Sequence, residues 1–276
     1  MICEINGKTV HAATGGLDPF APEASADPAV VLVHGAGMDS SVWSLQTRWL
    51  GHRGMRVVAV DLPGHGRSEG EALSSISDAA DWLGQFLDTT GLCPAVVVGH
   101  SMGTFIALEL AARRPELVEA LALFGTSTAM GVHPELLDAA SNDLSRAAAL
   151  MASWGHDPSA RLRNNPTPGL SMTGGAIALV EMSRPGILAN DLSACATYDQ
   201  AKPTAAKVSC PTTVVSGTSD KMTPAKAAAK LYNELSHLDD ESRQTITLPN
   251  VGHMMMTEDP QSVRNIIRQV ATGRDS

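Results

Sequence analysis

The sequence predicts an α/β fold in which a mostly parallel, doubly wound sheet carries an inserted helical cap. Short runs of Val, Ile and Leu alternate with longer segments whose apolar residues recur at helical spacing. These short runs lack strict apolar and polar alternation, as expected for strands that helices cover on both faces. Between residues 125 and 207 no strand-like run occurs, and helical patterns separated by Gly- and Pro-containing loops take their place.

Six segments are predicted as core strands, in two groups on either side of residues 125–207. They are residues 30–33, 56–60, 95–98, 119–124, 212–217 and 243–248. An N-terminal strand is expected before residues 15–28, which are rich in Pro, Ala, Asp and Gly and predict an exposed loop. A chain of 276 residues can form one large domain with an insertion. We therefore predict a core of residues 1–124 and 208–276 and a cap of residues 125–207.

Helices are predicted in the intervals between the strands. Residues 77–87 carry apolar side chains at helical spacing, and Ser77 can cap the start of this helix. Within the predicted cap, residues 134–152, 175–182 and 189–198 read as helices.

Composition limits the classes of partner. The formal net charge is −9 and Lys and Arg form no cluster, so a nucleic-acid partner is not expected. No run of eighteen apolar residues and no signal-peptide pattern occurs, so we expect a cytoplasmic protein without a membrane partner. The expected partner is a small-molecule substrate, and a homo-oligomer stays an open alternative. The four cysteines are far apart and form no C-x-x-C, which argues against zinc and disulfides.

The most informative motif is Gly99-x-Ser101-x-Gly103, which joins a predicted strand to a predicted helix. Small residues on both sides of a serine permit a sharp, strained turn that exposes the hydroxyl group, as in a nucleophile elbow. A glycine-flanked serine is also common in ordinary turns. The strand before it and the helix after it favour Ser101 as a nucleophile.

A serine nucleophile needs a base, which a carboxylate orients. Asp220 follows the strand predicted at residues 212–217, and His253 follows the last strand, so both are candidates. Taken alone, Asp220 could cap a helix that begins near Thr223, and His253 could be a surface loop residue. Their joint order after Ser101 favours a catalytic role. Weaker acid candidates lie in the cap or after a helix: Asp191, Asp199, Asp239 and Asp240.

The candidate oxyanion hole consists of two backbone N–H groups. Met102 follows the nucleophile at a helix N-terminus, and Ala36 lies in the loop His34-Gly35-Ala36-Gly37 after the first core strand. The alternative for this loop is a plain turn. It does not complete a dinucleotide fingerprint, because position 40 is Ser. We expect no cofactor and no metal ion, and we assign His34, His65 and His100 structural hydrogen-bonding roles.

These motifs, together with Asp61-Leu62-Pro63-Gly64-His65-Gly66-Arg67-Ser68, resemble the α/β-hydrolase fold superfamily. The resemblance covers nearly the whole chain outside the cap and points to the capped branch of esterases, lactonases, cofactor-free haloperoxidases and C–C bond hydrolases. It implies a Ser101-Asp220-His253 triad with the Ala36 and Met102 amides as oxyanion hole. The serine at the elbow argues against haloalkane dehalogenases and epoxide hydrolases, which use aspartate there.

The resulting hypothesis is a serine hydrolase that cleaves a small or medium carboxylic ester or lactone through an acyl-enzyme. Alternatives are a C–C bond hydrolase or perhydrolase with the same triad, and, more remotely, a non-catalytic small-molecule-binding protein. Trp43, Trp154 and Met254 are candidate substrate-binding residues. For Met254 and the two methionines after it, core packing is an equal alternative.

Overall fold

One mostly parallel sheet of eight strands forms the centre of the molecule. The computed structural model describes residues 1–21, 24–161, 169 and 171–273. The strands are β1 (Ile2–Ile5), β2 (Lys8–Ala13), β3 (Ala29–Val33), β4 (Val57–Val60), β5 (Ala95–His100), β6 (Val118–Phe124), β7 (Thr212–Gly217) and β8 (Arg243–Leu248). Their order is β1-β2-β4-β3-β5-β6-β7-β8. The ladder from β4 to β8 is parallel, which confirms the predicted fold class.

The central strands are buried on both faces. Every residue of β3, β4 and β5 is buried, which explains why their sequences are continuous apolar runs instead of alternating ones. All six predicted core strands are present, and β7 and β8 have the predicted bounds. Strand β5 extends two residues beyond its prediction, to His100.

The N-terminus forms an antiparallel hairpin where only one strand was expected. Strands β1 and β2 pair across Asn6 and Gly7, which have φ values of 52° and 71°. Both residues tolerate positive φ, and Asn-Gly is the dipeptide that two-residue hairpin turns favour. Asn6-Gly7 is thus the sequence signal for the second N-terminal strand, which was not predicted. Strand β2 then pairs antiparallel with β4 and joins the hairpin to the sheet.

Helices flank the sheet on the described part of the chain. They are α1 (Ser44–Gly51), α2 (Ile76–Thr90), α3 (Met102–Arg113), α4 (Pro134–Asn142), α5 (Leu144–Gly155), α6 (Met172–Glu181), α7 (Ile187–Thr197), α8 (Ala201–Ala205), α9 (Ala225–Glu234), α10 (Met255–Glu258) and α11 (Pro260–Thr272). Within that part, none of them has the length and apolar character needed to cross a membrane.

The predicted helices differ from the observed ones at one or both ends, and in two cases the structure gives the reason. The N-cap of α2 is Ser75, whose Oγ accepts a hydrogen bond from Asp78 N, whereas the Ser77 hydroxyl donates to Glu109. The helix predicted at residues 134–152 is two helices, because Asp143 ends α4 and its side chain caps α5. In both cases an oxygen-bearing side chain that satisfies a free helical N–H decides the boundary.

Five helices, α4 to α8, lie between β6 and β7, where the sequence predicts the cap. Helices α4, α5, α6 and α7 contact one another, whereas α8 packs against α3 and α9, on the flank of the sheet. The division into core and cap stays a prediction. Residues 162–168 and 170 of the predicted cap, and residues 22 and 23 of the predicted loop, lie outside the described residues.

Candidate active site

Ser101 occupies a strained turn between β5 and α3. Its φ and ψ are 53° and −119°, a conformation that residues with a side chain rarely adopt. The turn requires glycine at both flanking positions. A Cβ at position 99 would lie 2.3 Å from Gly103 O, and one at position 103 would lie 2.5 Å from Val33 O. The motif therefore lets α3 pack directly against β3 while Ser101 faces a cavity.

His253 and Asp220 form a buried hydrogen-bonded pair. His253 Nδ1 lies 2.8 Å from Asp220 Oδ2 and 3.1 Å from the hydroxyl of Thr223, and the His253 side chain is 2% exposed. With Nδ1–H donating to the carboxylate, Nε2 carries the lone pair. Among the described residues, Nε2 has no hydrogen-bond partner, and the ring faces the same cavity as Ser101. This tautomer is the one that a general base requires.

The Asp220 carboxylate accepts hydrogen bonds on both oxygens. Oδ1 accepts from the backbone N–H groups of Met222 and Thr223, and Oδ2 accepts from the Thr223 hydroxyl as well as from His253. Burial alone raises the pKa of Asp220. The nearby His253 and the hydrogen bonds from His253 and Thr223 outweigh burial, so the pKa lies below its ordinary value. The carboxylate is therefore ionised at neutral pH.

Backbone contacts fix the loop that carries His253. His100, the residue before Ser101, donates a hydrogen bond from Nε2 to His253 O at 2.9 Å. Burial, followed by the nearby His253, lowers the pKa of His100 to about 3, so its ring is neutral. Gly155, the last residue of α5, accepts hydrogen bonds on its carbonyl oxygen from His253 N at 2.7 Å and from Met254 N at 3.0 Å. The Glu258 side chain also joins the His253 loop to the end of α5, because it accepts hydrogen bonds from Gly252 N and Asp157 N.

The two candidate oxyanion donors both lie next to Ser101 or its cavity. Met102 is the first residue of α3, so its N–H has no acceptor one turn earlier in the helix. Ala36 lines the cavity together with Ser101 and His253. No acceptor among the described residues takes the Ala36 N–H. Both amides are thus available to an anionic oxygen bound at Ser101.

Ser101, His253 and Ala36 line a cavity of about 650 Å³, which lies between the carboxyl ends of the strands and helices α4, α5 and α7. Its volume is in the range of small-molecule binding sites. The apolar and sulfur-containing side chains on its walls are those of Met38, Met130, Val132, Leu136, Met151, Trp154, Leu192, Cys195 and Met222. Lys221 is the one formally charged side chain among the described residues of the lining.

The three predicted substrate-binding residues lie at different depths. Trp154 lines the 650 Å³ cavity, where its ring stands edge-on to His133 at 5.4 Å between centroids. Met254 lines a second, smaller cavity of about 190 Å³ beside α6. Trp43 is fully buried against His100 and Phe124 and lines neither cavity. Their role in binding substrate stays a prediction.

His34 and the four weaker acid candidates have hydrogen-bonding partners away from His253. His34 Nδ1 lies 2.9 Å from Gly35 O, and its Nε2 accepts from Leu62 N. Asp191, one of the weaker acid candidates, contacts His65. Asp199 is exposed and contacts Gln200. Sequence reasoning missed Thr223 as a partner of both Asp220 and His253, although a hydroxyl residue three positions after an acid is a local signal.

Comparison with known proteins gives a consistent family. The model of the Alpha/beta hydrolase family matches residues 30–266. The chain is 30% identical over 261 residues to a pimeloyl-[acyl-carrier protein] methyl ester esterase of Aromatoleum aromaticum, with 89% of this chain and 99% of that protein covered. It is also 33% identical over 122 residues to an (E)-2-((N-methylformamido)methylene)succinate hydrolase of Acinetobacter baylyi, with 44% of each chain covered.

Solved structures share the whole architecture. The enol-lactonase of Burkholderia xenovorans LB400 superposes with a TM-score of 0.84 at 21% identity, with 99% of this chain and 100% of that chain covered. At this identity the likeness shows the fold alone. A thermophilic esterase superposes with a TM-score of 0.77 at 25% identity, with 98% of this chain and 95% of that chain covered.

Proposed function

Because this chain belongs to the alpha/beta hydrolase family of enzymes, we propose that it hydrolyses a small or medium carboxylic ester or lactone through an acyl-enzyme. One observation carries the proposal. Ser101, the Asp220-paired His253 and the Ala36 loop line one cavity with mostly apolar walls. This set supplies a nucleophile, an oriented base and an amide donor around the place where a carbonyl group would sit.

The proposed reaction begins with proton transfer. His253 Nε2 takes the proton of Ser101 Oγ as that oxygen attacks the carbonyl carbon. Asp220, ionised and hydrogen-bonded to Nδ1, stabilises the imidazolium that forms. The Ala36 and Met102 N–H groups bind the anionic oxygen of the tetrahedral intermediate. The imidazolium then protonates the leaving alkoxide, and water attacks the acyl-enzyme with His253 as base again.

The cavity supports the proposed substrate class. Its volume of about 650 Å³ admits an acyl chain of several carbons, and its walls give that chain apolar contacts. The names of two similar proteins, a methyl ester esterase and a thermophilic esterase, point to the same bond type.

The test uses p-nitrophenyl esters from acetate to octanoate with the wild type and Ser101→Ala. We expect turnover in the wild type and a loss of at least about 10³-fold in kcat for Ser101→Ala, because the nucleophile is removed. Ser216→Ala is the control, since Ser216 is a buried serine that contacts Thr247 on β8 and does not line the cavity. Its kcat should equal that of the wild type.

A fluorophosphonate probe adds a test that is independent of the ester chosen. It should label the wild type at Ser101 once per chain and leave Ser101→Ala unlabelled. Wild-type turnover in Ser101→Ala would contradict the proposal. Labelling without turnover on any ester or lactone would direct attention to C–C bond cleavage or perhydrolysis, and absence of both would favour a binding protein.

A further inference from the structure

Asp191 brings a buried carboxylate from helix α7 to the loop that follows β3. Its side chain is 3% exposed. A single oxygen, Oδ2, lies 2.8 Å from Gly37 N and 2.8 Å from His65 Nε2. Asn190 donates to Oδ1 of the same carboxylate. The proposed reaction uses neither Asp191 nor His65, so this buried cluster needs an explanation of its own.

The contacts of His65 indicate a charged ring. Its Nδ1 lies 3.0 Å from Pro63 O and its Nε2 faces the Asp191 carboxylate, so both nitrogens meet acceptors. A neutral imidazole has only one N–H, so this arrangement fits the imidazolium. Burial alone lowers the pKa of His65, but the hydrogen bond and charge of Asp191 outweigh it and the pKa lies above its ordinary value. The neighbouring His34 is neutral, because burial, followed by the His65 charge, lowers its pKa to about 4.

The carboxylate acts on the residue directly after the candidate oxyanion donor. Gly37 follows Ala36 and has a φ of 65°. A Cβ at position 37 would lie 2.7 Å from Leu188 Cδ1, so α7 packs directly against this turn. Helix α7 therefore fixes the turn twice, through the hydrogen bond from Gly37 N to Asp191 and through the Leu188 contact.

We propose that Asp191 is a positioning residue for the oxyanion hole: paired with His65, its carboxylate fixes Gly37 and thereby aims the Ala36 N–H at the oxygen bound at Ser101. The inference rests on the proposed serine hydrolase function. Without the carboxylate, the Gly37 amide and His65 lose their common acceptor and the turn can rotate. A donor displaced by about 1 Å stabilises the developing anion much less while the cavity still binds the substrate.

The test is a kinetic comparison of the wild type with Asp191→Asn and Asp191→Ala. In the asparagine variant one oxygen must still serve two donors while its NH₂ group faces Asn190. We expect kcat on p-nitrophenyl butyrate to fall about 10- to 100-fold, more in Asp191→Ala, with KM within about threefold. Asp199→Ala, which removes an exposed carboxylate near the end of the same helix, should match the wild type in both constants.

Inhibitors separate positioning from a general loss of structure. A trifluoromethyl ketone forms an anionic adduct with serine, whereas the matching methyl ketone binds largely without one. We expect the Asp191 variants to weaken binding of the trifluoromethyl ketone by the same factor as kcat and to leave the methyl ketone unchanged. Leu188→Ala is the second variant, for use if the Asp191 variants do not fold. It removes the packing on Gly37 but keeps the charges of Asp191 and His65, and we expect the same selective loss of trifluoromethyl ketone binding.

The outcomes distinguish this inference from the proposed function. Suppose that wild-type turnover depends on Ser101 but the folded Asp191 variants keep the kcat and the trifluoromethyl ketone affinity of the wild type. This result would overturn the role of Asp191 alone. An equal loss of affinity for both ketones would also overturn it and assign Asp191 to the shape of the cavity. A wild type that neither turns over esters nor reacts with fluorophosphonate would overturn the proposed function, and this inference with it.

Discussion

Asp220 performs two tasks that the sequence presents as alternatives. Its Oδ1 accepts from the Met222 and Thr223 amides, which shapes the turn before α9, and its Oδ2 faces His253. Both are possible because a carboxylate has two oxygens with about four lone-pair directions. The turn contacts hold the carboxylate in the orientation that the His253 contact uses, so the local structural role supports the proposed chemical one.

Replacing Asp220 by asparagine is expected to reverse the His253 tautomer. An amide NH₂ at the Oδ2 position donates to Nδ1, so Nε2 carries the proton and cannot accept one from Ser101. We expect kcat to fall by about 10³- to 10⁴-fold with little change in KM. Steady-state hydrolysis of p-nitrophenyl butyrate measures this, and Asp240→Asn is the control because that carboxylate is 92% exposed. Unchanged kcat in Asp220→Asn would place the orienting acid elsewhere.

At the residue scale, the sequence predicts positions that follow strands better than contacts across the fold. Ser101, Asp220 and His253 each follow a strand, and parallel strands bring their carboxyl ends to one edge of the sheet. The contacts of Asp191 could not be predicted in this way. Its partners His65 and Gly37 lie 126 and 154 residues away along the chain, and no local pattern marks the pairing.

At the element scale, strands were predicted more accurately than helix boundaries. Apolar runs between turn residues define β7 and β8 because burial on both faces leaves few polar positions. Helix ends depend on single hydrogen bonds, and the shift from Ser77 to Ser75 shows how adjacent serines compete for one cap. The elbow between β5 and α3 is constrained differently, by direct contact of backbones.

Gly103→Ala is expected to destabilise the protein by about 1–3 kcal/mol or more, because the added methyl group would overlap Val33 O on β3. Urea unfolding at pH 7 followed by circular dichroism measures the change. Gly175→Ala on α6 is the matched control, since a Cβ there has no atom within 4 Å among the described residues. This variant should gain up to about 1 kcal/mol from helix propensity. A Gly103→Ala variant with the same free energy of unfolding as the wild type would show that α3 can move away from β3.

At the scale of the whole molecule, buried histidines with different charge states connect the loops around the site. His34 and His100 are neutral, with pKa values lowered to about 4 and about 3. His65 is charged and paired with Asp191. Such a set makes folding depend on pH, because unfolded histidines titrate near pH 6.5.

The expected pH dependence is a loss of stability on the acid side. Below about pH 6.5 the unfolded chain binds protons at positions 34 and 100 that the folded chain excludes until about pH 4 and about pH 3. His65, with its raised pKa, is protonated in both states there and adds no loss. From pH 7 to pH 5 the free energy of unfolding should fall by roughly 2 kcal/mol for each of the two neutral histidines.

Urea titrations at pH 7 and pH 5 check this expectation. His52→Gln, which removes an exposed histidine, should show the same fall as the wild type. His100→Gln should show a fall smaller by roughly 2 kcal/mol, because the group that excludes a proton is gone. Equal free energies of unfolding at the two pH values in the wild type would contradict the neutral, buried state of His34 and His100.

The two hydrogen bonds that Gly155 O accepts from the His253 loop have a consequence for protein engineering. They join helix α5 to the loop that carries His253, as Asp191 joins α7 to the loop that carries Ala36. A chimera in which residues 125–207 come from a relative would thus change more than the shape of the cavity. Such a graft would transfer selectivity without loss of rate only if the donor segment places the backbone carbonyl of position 155 within reach of His253 N and keeps a carboxylate at position 191.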